Sequence, residues 1–266
     1  MSEVIKRERE EFDMNTRKST KTCLTIIVLV LAITCAAVAV PVGTVDIEHT
    51  GYGAGGYLRV WGGGLFGSYV RGGVYVLDKT DGTGQGDDLW SDGPIESFCI
   101  ELSQWSPKNP HEYDVVMPEE AQRPTYFLGG PIGPDKAEYL SELWGRFFDP
   151  DWAGFGPFTF QQNREAKAFA AAIWEIIYED LPASPAGWNV IIDGTFGPRG
   201  FRCSDVDTYT ANQWLHALDG TGPKADLRAF LNGCKQDFIV RVHMPEPVTI
   251  TLLGLGALSL FRKKHG

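Results

Sequence analysis

Residues 57–77 read YLRVWGGGLFGSYVRGGVYVL, and this glycine-rich stretch decides the class of fold. Its first five residues alternate along the chain, so that Leu58 and Val60 share one face of a strand. The opposite face carries Tyr57, Arg59 and Trp61. Alternation returns at residues 74–77, and the glycines at 62–64 are typical of a turn. The stretch therefore predicts antiparallel strands joined by short turns.

Downstream of this region, the spacing of apolar residues becomes helical. Helices are predicted over residues 135–148, 164–178 and 208–218, and the second has hardly a polar face, which indicates a buried helix. The remaining predicted elements are strands at 97–102 and 236–242, a strand and turn at 188–196, a loop at 110–132 and a helical turn at 227–231. Strands at both ends with helices between them predict an α+β fold, in which a glycine-rich antiparallel sheet or sandwich carries an inserted helical subdomain.

The charge of the central region limits its partners. Residues 40–245 carry 15 Lys and Arg against 28 Asp and Glu, so their net charge is −13. A phosphate backbone would be repelled, which argues against nucleic acid as a partner. The segment 78–82 falls short of the spacing of an EF-hand loop and predicts a plain turn. We expect no metal and no cofactor.

The N-terminal end of the chain predicts an export signal. An apolar block at residues 23–39 (CLTIIVLVLAITCAAVA) follows a basic cluster, and Ala37 and Ala39 form the small-x-small pattern of a signal-peptidase site. We therefore predict a signal peptide over residues 1–39, with Met14 as an alternative start because acidic residues precede it. An uncleaved N-terminal anchor is the other interpretation.

The C-terminal end has a second apolar segment with different flanks. Pro245, Glu246 and Pro247 precede the fourteen residues 248–261 (VTITLLGLGALSLF), and a basic cluster follows. As a helix this segment would be about 21 Å long, shorter than the ~30 Å hydrocarbon core of a bilayer. The tripeptide, the run LLGLGALSL and the basic cluster resemble a PEP-CTERM sorting signal over residues 245–266. A buried C-terminal helix is the alternative.

This resemblance implies a secreted protein of a Gram-negative bacterium that makes exopolysaccharide. In that family an exosortase, a membrane-embedded protease, removes the tail. The implied partners are therefore the exosortase, signal peptidase and, before processing, the inner membrane through the C-terminal segment. Residues 40–244 would form a single ectodomain in the cell envelope or extracellular matrix, where extracellular polysaccharide or surface proteins would be its partners.

Three cysteines, Cys99, Cys203 and Cys234, remain once a signal peptide is removed. In an oxidising compartment an odd number leaves at least one of them unpaired or otherwise bonded. Cys203 and Cys234 flank the last predicted helices, and a bridge between them would close a loop of about thirty residues and contribute ~3 kcal/mol. This pair is the favoured disulfide, although spacing alone does not fix the connectivity.

Two segments resemble the thioester domain of bacterial surface adhesins. FCIEL at 98–102 contains Cys99 on a predicted strand, AFAAAIWE at 168–175 lies on the buried helix, and QDF at 236–238 also fits. In that family a strand cysteine and a glutamine just before Ala-Ile-Trp join as an internal thioester. Amines or hydroxyls on a target surface attack this electrophile. The resemblance covers most of residues 90–245.

This chain departs from the family at the glutamine. The aligned position is Ala170, which has no carboxamide. Gln161 and Gln162 lie more than two turns upstream, ~12 Å away along a helix axis. We therefore interpret Cys99 as the retained half of a lost site. The alternatives are an active thioester with another glutamine, a buried apolar cysteine, or a disulfide with Cys203 or Cys234.

Other chemistry has weaker support in the sequence. No motif of a serine, zinc or cysteine–histidine hydrolase occurs. Glu175 and Glu179 would be the carboxylates of a glycan hydrolase, but their spacing is more often structural. Trp152, in a glycine-rich loop, is a candidate for surface contact. We expect a non-enzymatic exported protein for surface attachment or biofilm structure; the alternatives are an active covalent adhesin with a thioester at Cys99, and a secreted glycan hydrolase.

Overall fold

The structure is a computed structural model that describes residues 40–123, 129–192 and 200–242. The two predicted export signals lie outside these residues, with their key positions Ala37, Ala39, Pro245, Glu246 and Pro247. Within the three described ranges, no helix combines the length and the apolar character needed to cross a bilayer.

Seven strands and four α-helices make up this part of the chain. The strands are β1 (Gly43–Gly62), β2 (Leu65–Gly84), β3 (Gly93–Cys99), β4 (His111–Val116), β5 (Phe201–Ser204), β6 (Leu227–Asn232) and β7 (Lys235–Arg241). The helices are α1 (Gln85–Leu89), α2 (Pro134–Phe147), α3 (Phe160–Tyr178) and α4 (Thr208–His216). The predicted α+β class is confirmed, and α2 and α3 are inserted between β4 and β5.

All seven strands belong to one antiparallel sheet in the order β2-β3-β7-β6-β4-β1-β5. Because β1 also pairs with β2, six strands close into a ring, and β5 attaches to the far half of β1. Strands β1 and β2 are 20 residues long each. The far half of their hairpin, residues 52–73, therefore extends beyond the neighbouring strands β3 and β4.

Helix α3 is the central helix and packs against this hairpin. Thr159 and Gln162 form a reciprocal capping box that fixes its first turn. Further along, Ala170 meets Gly72 of β2 so closely that a Cβ on Gly72 would lie 3.3 Å from the Ala170 Cβ and 2.6 Å from a Leu58 methyl carbon. A longer side chain at position 170 would push the helix away from the strand. Close packing therefore explains the alanine at this position.

Three segments differ from the expectations drawn from the sequence. Residues 227–231 lie in β6 and not in a helical turn, because hydrogen bonding to β4 and β7 on both sides outweighs the helix propensity of Leu, Arg and Ala. The loop predicted at 110–132 contains β4. The segment 188–196 was predicted as a strand and turn; residues 190–192 form a turn, residues 188–192 contain no strand, and residues 193–196 lie outside the described residues.

The cysteines Cys203 and Cys234 are both free thiols. Cys203 is buried on β5, whereas Cys234 is exposed in the turn between β6 and β7. Cys203 pairs with Val60 in the far half of β1, whereas β6 pairs with β4, which pairs with the opposite end of β1 at residues 43–47; a disulfide joins Cα atoms within about 7 Å. The strand register therefore argues against the predicted bridge.

Candidate functional site

Cys99, the last residue of β3, lies beside the side chain of Gln236 on β7. The register pairs Cys99 with Phe238, and Gln236 shares a strand face with Phe238. The Gln236 Nε2 donates a hydrogen bond to Cys99 Sγ at 3.0 Å. The Ile100 N–H donates to the Asp237 carbonyl at 3.0 Å and so continues the pairing one residue past β3. The fold thus brings a thiol and a carboxamide into contact.

Several bonds hold the side chain and backbone of Gln236 in place. Its Nε2 also donates to the Glu101 carbonyl at 3.2 Å, and that carbonyl accepts the Cys99 thiol at 3.0 Å. The Gln236 N–H donates to the Trp105 carbonyl at 3.1 Å, and the Tyr113 hydroxyl donates to the Gln236 carbonyl at 3.2 Å. The carboxamide is therefore held against the thiol in a narrow range of orientations.

Helix α3 fixes the strand end that carries the cysteine. The Trp174 Nε1 donates to the Cys99 carbonyl at 2.8 Å, and the Tyr178 hydroxyl accepts the Leu102 N–H at 2.9 Å. Trp174 and Tyr178 are four residues apart and so lie on the same face of the helix. The Ala-Ile-Trp segment that carried the resemblance thus positions the backbone of Cys99, while Ala170, one turn earlier, packs against β2.

The surroundings of the pair favour uncharged groups. Cys99 is 3% exposed and Gln236 is 7% exposed. Burial raises the pKa of the Cys99 thiol and raises the pKa of Tyr75 well above its ordinary value. Burial, with a smaller contribution from the charge of Glu101, raises the pKa of Asp237 to about 7. The thiol therefore stays protonated at neutral pH.

A pocket of about 440 Å³ leads from the surface to the Cys99–Gln236 pair. The far half of the β1–β2 hairpin lines one side, and residues 102–106, the loop after β3, line the other. Trp105 in this loop is 88% exposed. The volume falls in the range of pockets that take small ligands, so a group of a larger molecule can reach the buried pair.

Gln161 and Gln162, which the sequence placed too far upstream to replace the missing glutamine, lie at the first turn of α3. The side chain of Gln162 is used in the capping box, and the Gln161 amide donates to Glu165. Sequence reasoning missed Gln236 as the amide beside Cys99. The available signal was its place on the face of β7 that also carries Phe238, because a polar residue on a buried strand face requires a polar partner.

The carboxylates considered for a glycan hydrolase hold backbone groups. Glu175 accepts the Asn189 N–H at 2.7 Å, and Glu179 accepts the Phe201 N–H. Trp152, predicted as a surface contact, is 1% exposed and belongs to the core, so this prediction was wrong. The rings of Phe148, Phe169 and Trp214 pack around Trp152, which the glycine-rich loop sequence did not indicate.

Comparison of the chain with family models, with curated proteins and with solved structures gave no match. Within the part of the chain that the structure describes, no group of three or more His, Cys, Asp or Glu side chains is arranged to hold a metal ion. The geometry around Cys99 and Gln236 is the basis for assigning a function.

Proposed function

We propose that the protein is an exported attachment protein of the cell envelope in which Cys99 and Gln236 form an internal thioester. One observation carries the proposal: the Gln236 carboxamide contacts Cys99 Sγ at 3.0 Å, in a buried pair that a pocket connects to the surface. Burying an amide away from water costs free energy, so a buried amide needs a polar partner. Here that partner is the thiol with which it would react. The contact favours the covalent alternative over a lost site.

Thioester formation at this pair needs no oxidant or cofactor. The Cys99 sulfur attacks the carbonyl carbon of the Gln236 side chain, the S–C bond forms and the C–N bond breaks. The nitrogen leaves as ammonia with the thiol proton, so the chain loses about 17 Da. The enforced contact supplies the proximity that an intramolecular reaction of a weak nucleophile requires.

The acyl group then reacts with a nucleophile that enters the pocket. An amine or hydroxyl of the target attacks the carbonyl carbon, forms an amide or ester with the Gln236 side chain and returns the Cys99 thiol. Each molecule reacts once, because the acyl group stays on the target. The protein is therefore a covalent attachment device and not an enzyme with turnover. Burial of the pair limits hydrolysis by water before a target arrives.

The predicted export signals support a location outside the cytoplasm. The signal peptide over residues 1–39 and the sorting signal over 245–266, with its resemblance to exosortase substrates, would leave residues 40–244 in the envelope or the extracellular matrix. Signal peptidase and an exosortase would be the processing partners. A covalent bond to matrix or cell-surface material suits that location, where a secreted protein would otherwise diffuse away.

Peptide mass spectrometry of the purified chain tests the thioester. We expect a cross-linked pair of peptides that contain Cys99 and Gln236, about 17 Da lighter than the sum of the two. Treatment with methylamine should place a methylamide on Gln236 and release the Cys99 thiol. A wild-type chain with a free Cys99 and an intact Gln236 amide would reject the thioester and leave the lost-site interpretation.

Matched variants test whether the cross-link depends on Cys99 and Gln236 or would form at any buried cysteine. Cys99→Ala and Gln236→Ala should both abolish the cross-link and the uptake of methylamine. Cys203→Ala is the control, because Cys203 is also 3% exposed but its thiol contacts the Val190 carbonyl at 3.5 Å. This variant should keep both signals.

A further inference from the structure

A row of arginine and aromatic side chains lies on the outer face of the far half of the β1–β2 hairpin, and we call it the arginine–aromatic strip. Its members are Tyr57, Arg59, Trp61, Tyr69, Arg71 and Arg202. Alternation along β1 places positions 57, 59 and 61 on one face. The register sets positions 71 and 69 of β2 opposite 57 and 59, and position 202 of β5 opposite 61.

Each arginine of the strip stacks on an aromatic ring. The Arg59 Cζ lies 5.1 Å from the centre of the Trp61 ring and 6.0 Å from that of Tyr69. The Arg202 Cζ lies 4.2 Å from the Trp61 ring, and the Arg71 Cζ lies 4.1 Å from the ring of Tyr52. Stacking of this kind orients a guanidinium group and leaves its edge free to donate hydrogen bonds.

Within the part of the chain that the structure describes, the three arginines have no acidic partners. Among the described residues, none of them forms a salt bridge with a carboxylate. Arg59 and Arg71 each donate one bond to a glycine carbonyl, at 2.9 and 3.0 Å. The Nε atoms of Arg71 and Arg202 are buried and have no hydrogen-bond partner among residues 40–123, 129–192 and 200–242. Three uncompensated cations on one face of an acidic domain point to an anionic ligand.

We propose that the strip binds an acidic polysaccharide whose sugars carry carboxylates. Aromatic rings take the apolar faces of sugars, and planar guanidinium groups pair with carboxylates through two parallel hydrogen bonds. Residues 57–61 span about 13 Å at ~3.3 Å per residue, which suits an extended chain of a few sugars. Duplex nucleic acid suits the surface less, because it places a charge about every 1.7 Å against a protein that is negative overall.

The strip continues into the pocket above the Cys99–Gln236 pair. Tyr57, Tyr69 and Arg71 belong to both the strip and the pocket lining. A polysaccharide bound along the strip would therefore present its hydroxyls near the pair. Covalent capture of that polysaccharide rests on the proposed function, whereas noncovalent binding to the strip does not require the thioester.

The binding experiment uses the full chain with Cys99→Ala, so that covalent capture cannot contribute. Affinity for polygalacturonate is measured by titration calorimetry, with the fully methyl-esterified polymer, which has the same sugars without charge, as the matched ligand. We expect binding to polygalacturonate alone, weakening as salt is added. Arg59→Gln with Arg202→Gln should lower the affinity at least about tenfold, because one hydrogen bond to a charged group is worth that much.

Arg241→Gln is the control variant, since Arg241 is exposed at the end of β7 and away from the strip. It should bind as tightly as its parent. Equal binding of the esterified polymer, salt-independent binding, an equal loss in Arg241→Gln, or tighter binding of a single-stranded oligonucleotide would overturn the proposal. If the polysaccharide does not bind but mass spectrometry finds the Cys99–Gln236 cross-link, the thioester proposal is retained and the binding proposal is rejected. If the polysaccharide binds but mass spectrometry finds no cross-link, the protein is a noncovalent polysaccharide-binding protein.

Discussion

The carboxyl group of Asp237, next to Gln236 on β7, makes the stability of the protein depend on pH. Burial raises the pKa of Asp237 from 3.8 to about 7, and the charge of Glu101 adds to the shift. An acid whose pKa is raised by folding binds its proton more tightly in the folded state. The contribution of Asp237 to the free energy of unfolding is therefore largest below pH 3.8, and it is lost as the pH rises through 7.

The size of the effect follows from the shift. The pKa of Asp237 differs by about three between the folded and unfolded states, which lowers the free energy of unfolding by ~4 kcal/mol above pH 7. Because the Asp237 carboxyl keeps some contact with solvent, we expect Asp237→Asn to recover about half of this, ~2 kcal/mol, at pH 8. Asparagine can still accept the Asn232 N–H that Asp237 accepts at 2.8 Å, so the substitution keeps that hydrogen bond.

Thermal unfolding at pH 4 and pH 8 measures the prediction. For a domain of roughly 200 residues, ~2 kcal/mol raises the Tm by about 4–8 °C, which we expect for Asp237→Asn at pH 8 and not at pH 4. Asp114→Asn, at an exposed position of β4, is the matched control and should change the Tm little at either pH. An equal gain at both pH values, or a loss at pH 8, would refute the assignment of a raised pKa to Asp237.

Three further substitutions test contacts around the site and the helices. Trp174→Phe removes the donor to the Cys99 carbonyl and keeps an aromatic ring, so we expect a lower yield of thioester in the mass assay; an unchanged yield would contradict a positioning role. Glu142→Gln alters a fully buried carboxylate that accepts the Gly220 N–H at 2.7 Å, and should lower the Tm by about 6–12 °C, equivalent to ~3 kcal/mol. A loss under about 2 °C would show that other contacts hold the loop after α4. Burial lowers the pKa of Lys136 to about 8, so the stability of the wild type should rise between pH 8 and 10.5, and Lys136→Met should remove that rise in a pH series of melting curves.

The parts of the fold with strong local periodicity were predictable from the sequence. Alternation at residues 57–61 and 74–77 indicated the hairpin, but not its length of 20 residues per strand. Gly55 and Gly73 explain the difference: they face each other across the hairpin with φ of 149° and 123°, and a Cβ on either would lie 2.3 Å from a partner-strand carbonyl oxygen. In the sequence these glycines interrupt the strand alternation and suggest a turn. In the structure they allow the two backbones to approach, so that the strands stay paired.

One of the two residues of the candidate site could be predicted from the sequence. Cys99 was identified because its strand and the Ala-Ile-Trp segment resemble a known arrangement. Gln236 was not identified as its partner, because contact between the two depends on β3 lying next to β7, and no local pattern encodes that neighbour relation. Residues 227–231 show the same limit, since their strand conformation comes from neighbours on both sides and not from their own propensity.

The position of Gln236 in the chain has a mechanical consequence. A target bonded to this side chain would be tethered to β7, the last strand of the described sheet, only six residues before Val242. Within the described residues, tension between the target and whatever holds the C-terminal side of the chain would run through residues 236–242 alone. The rest of the sheet would lie outside the line of pull, so the tether could bear load without the domain unfolding.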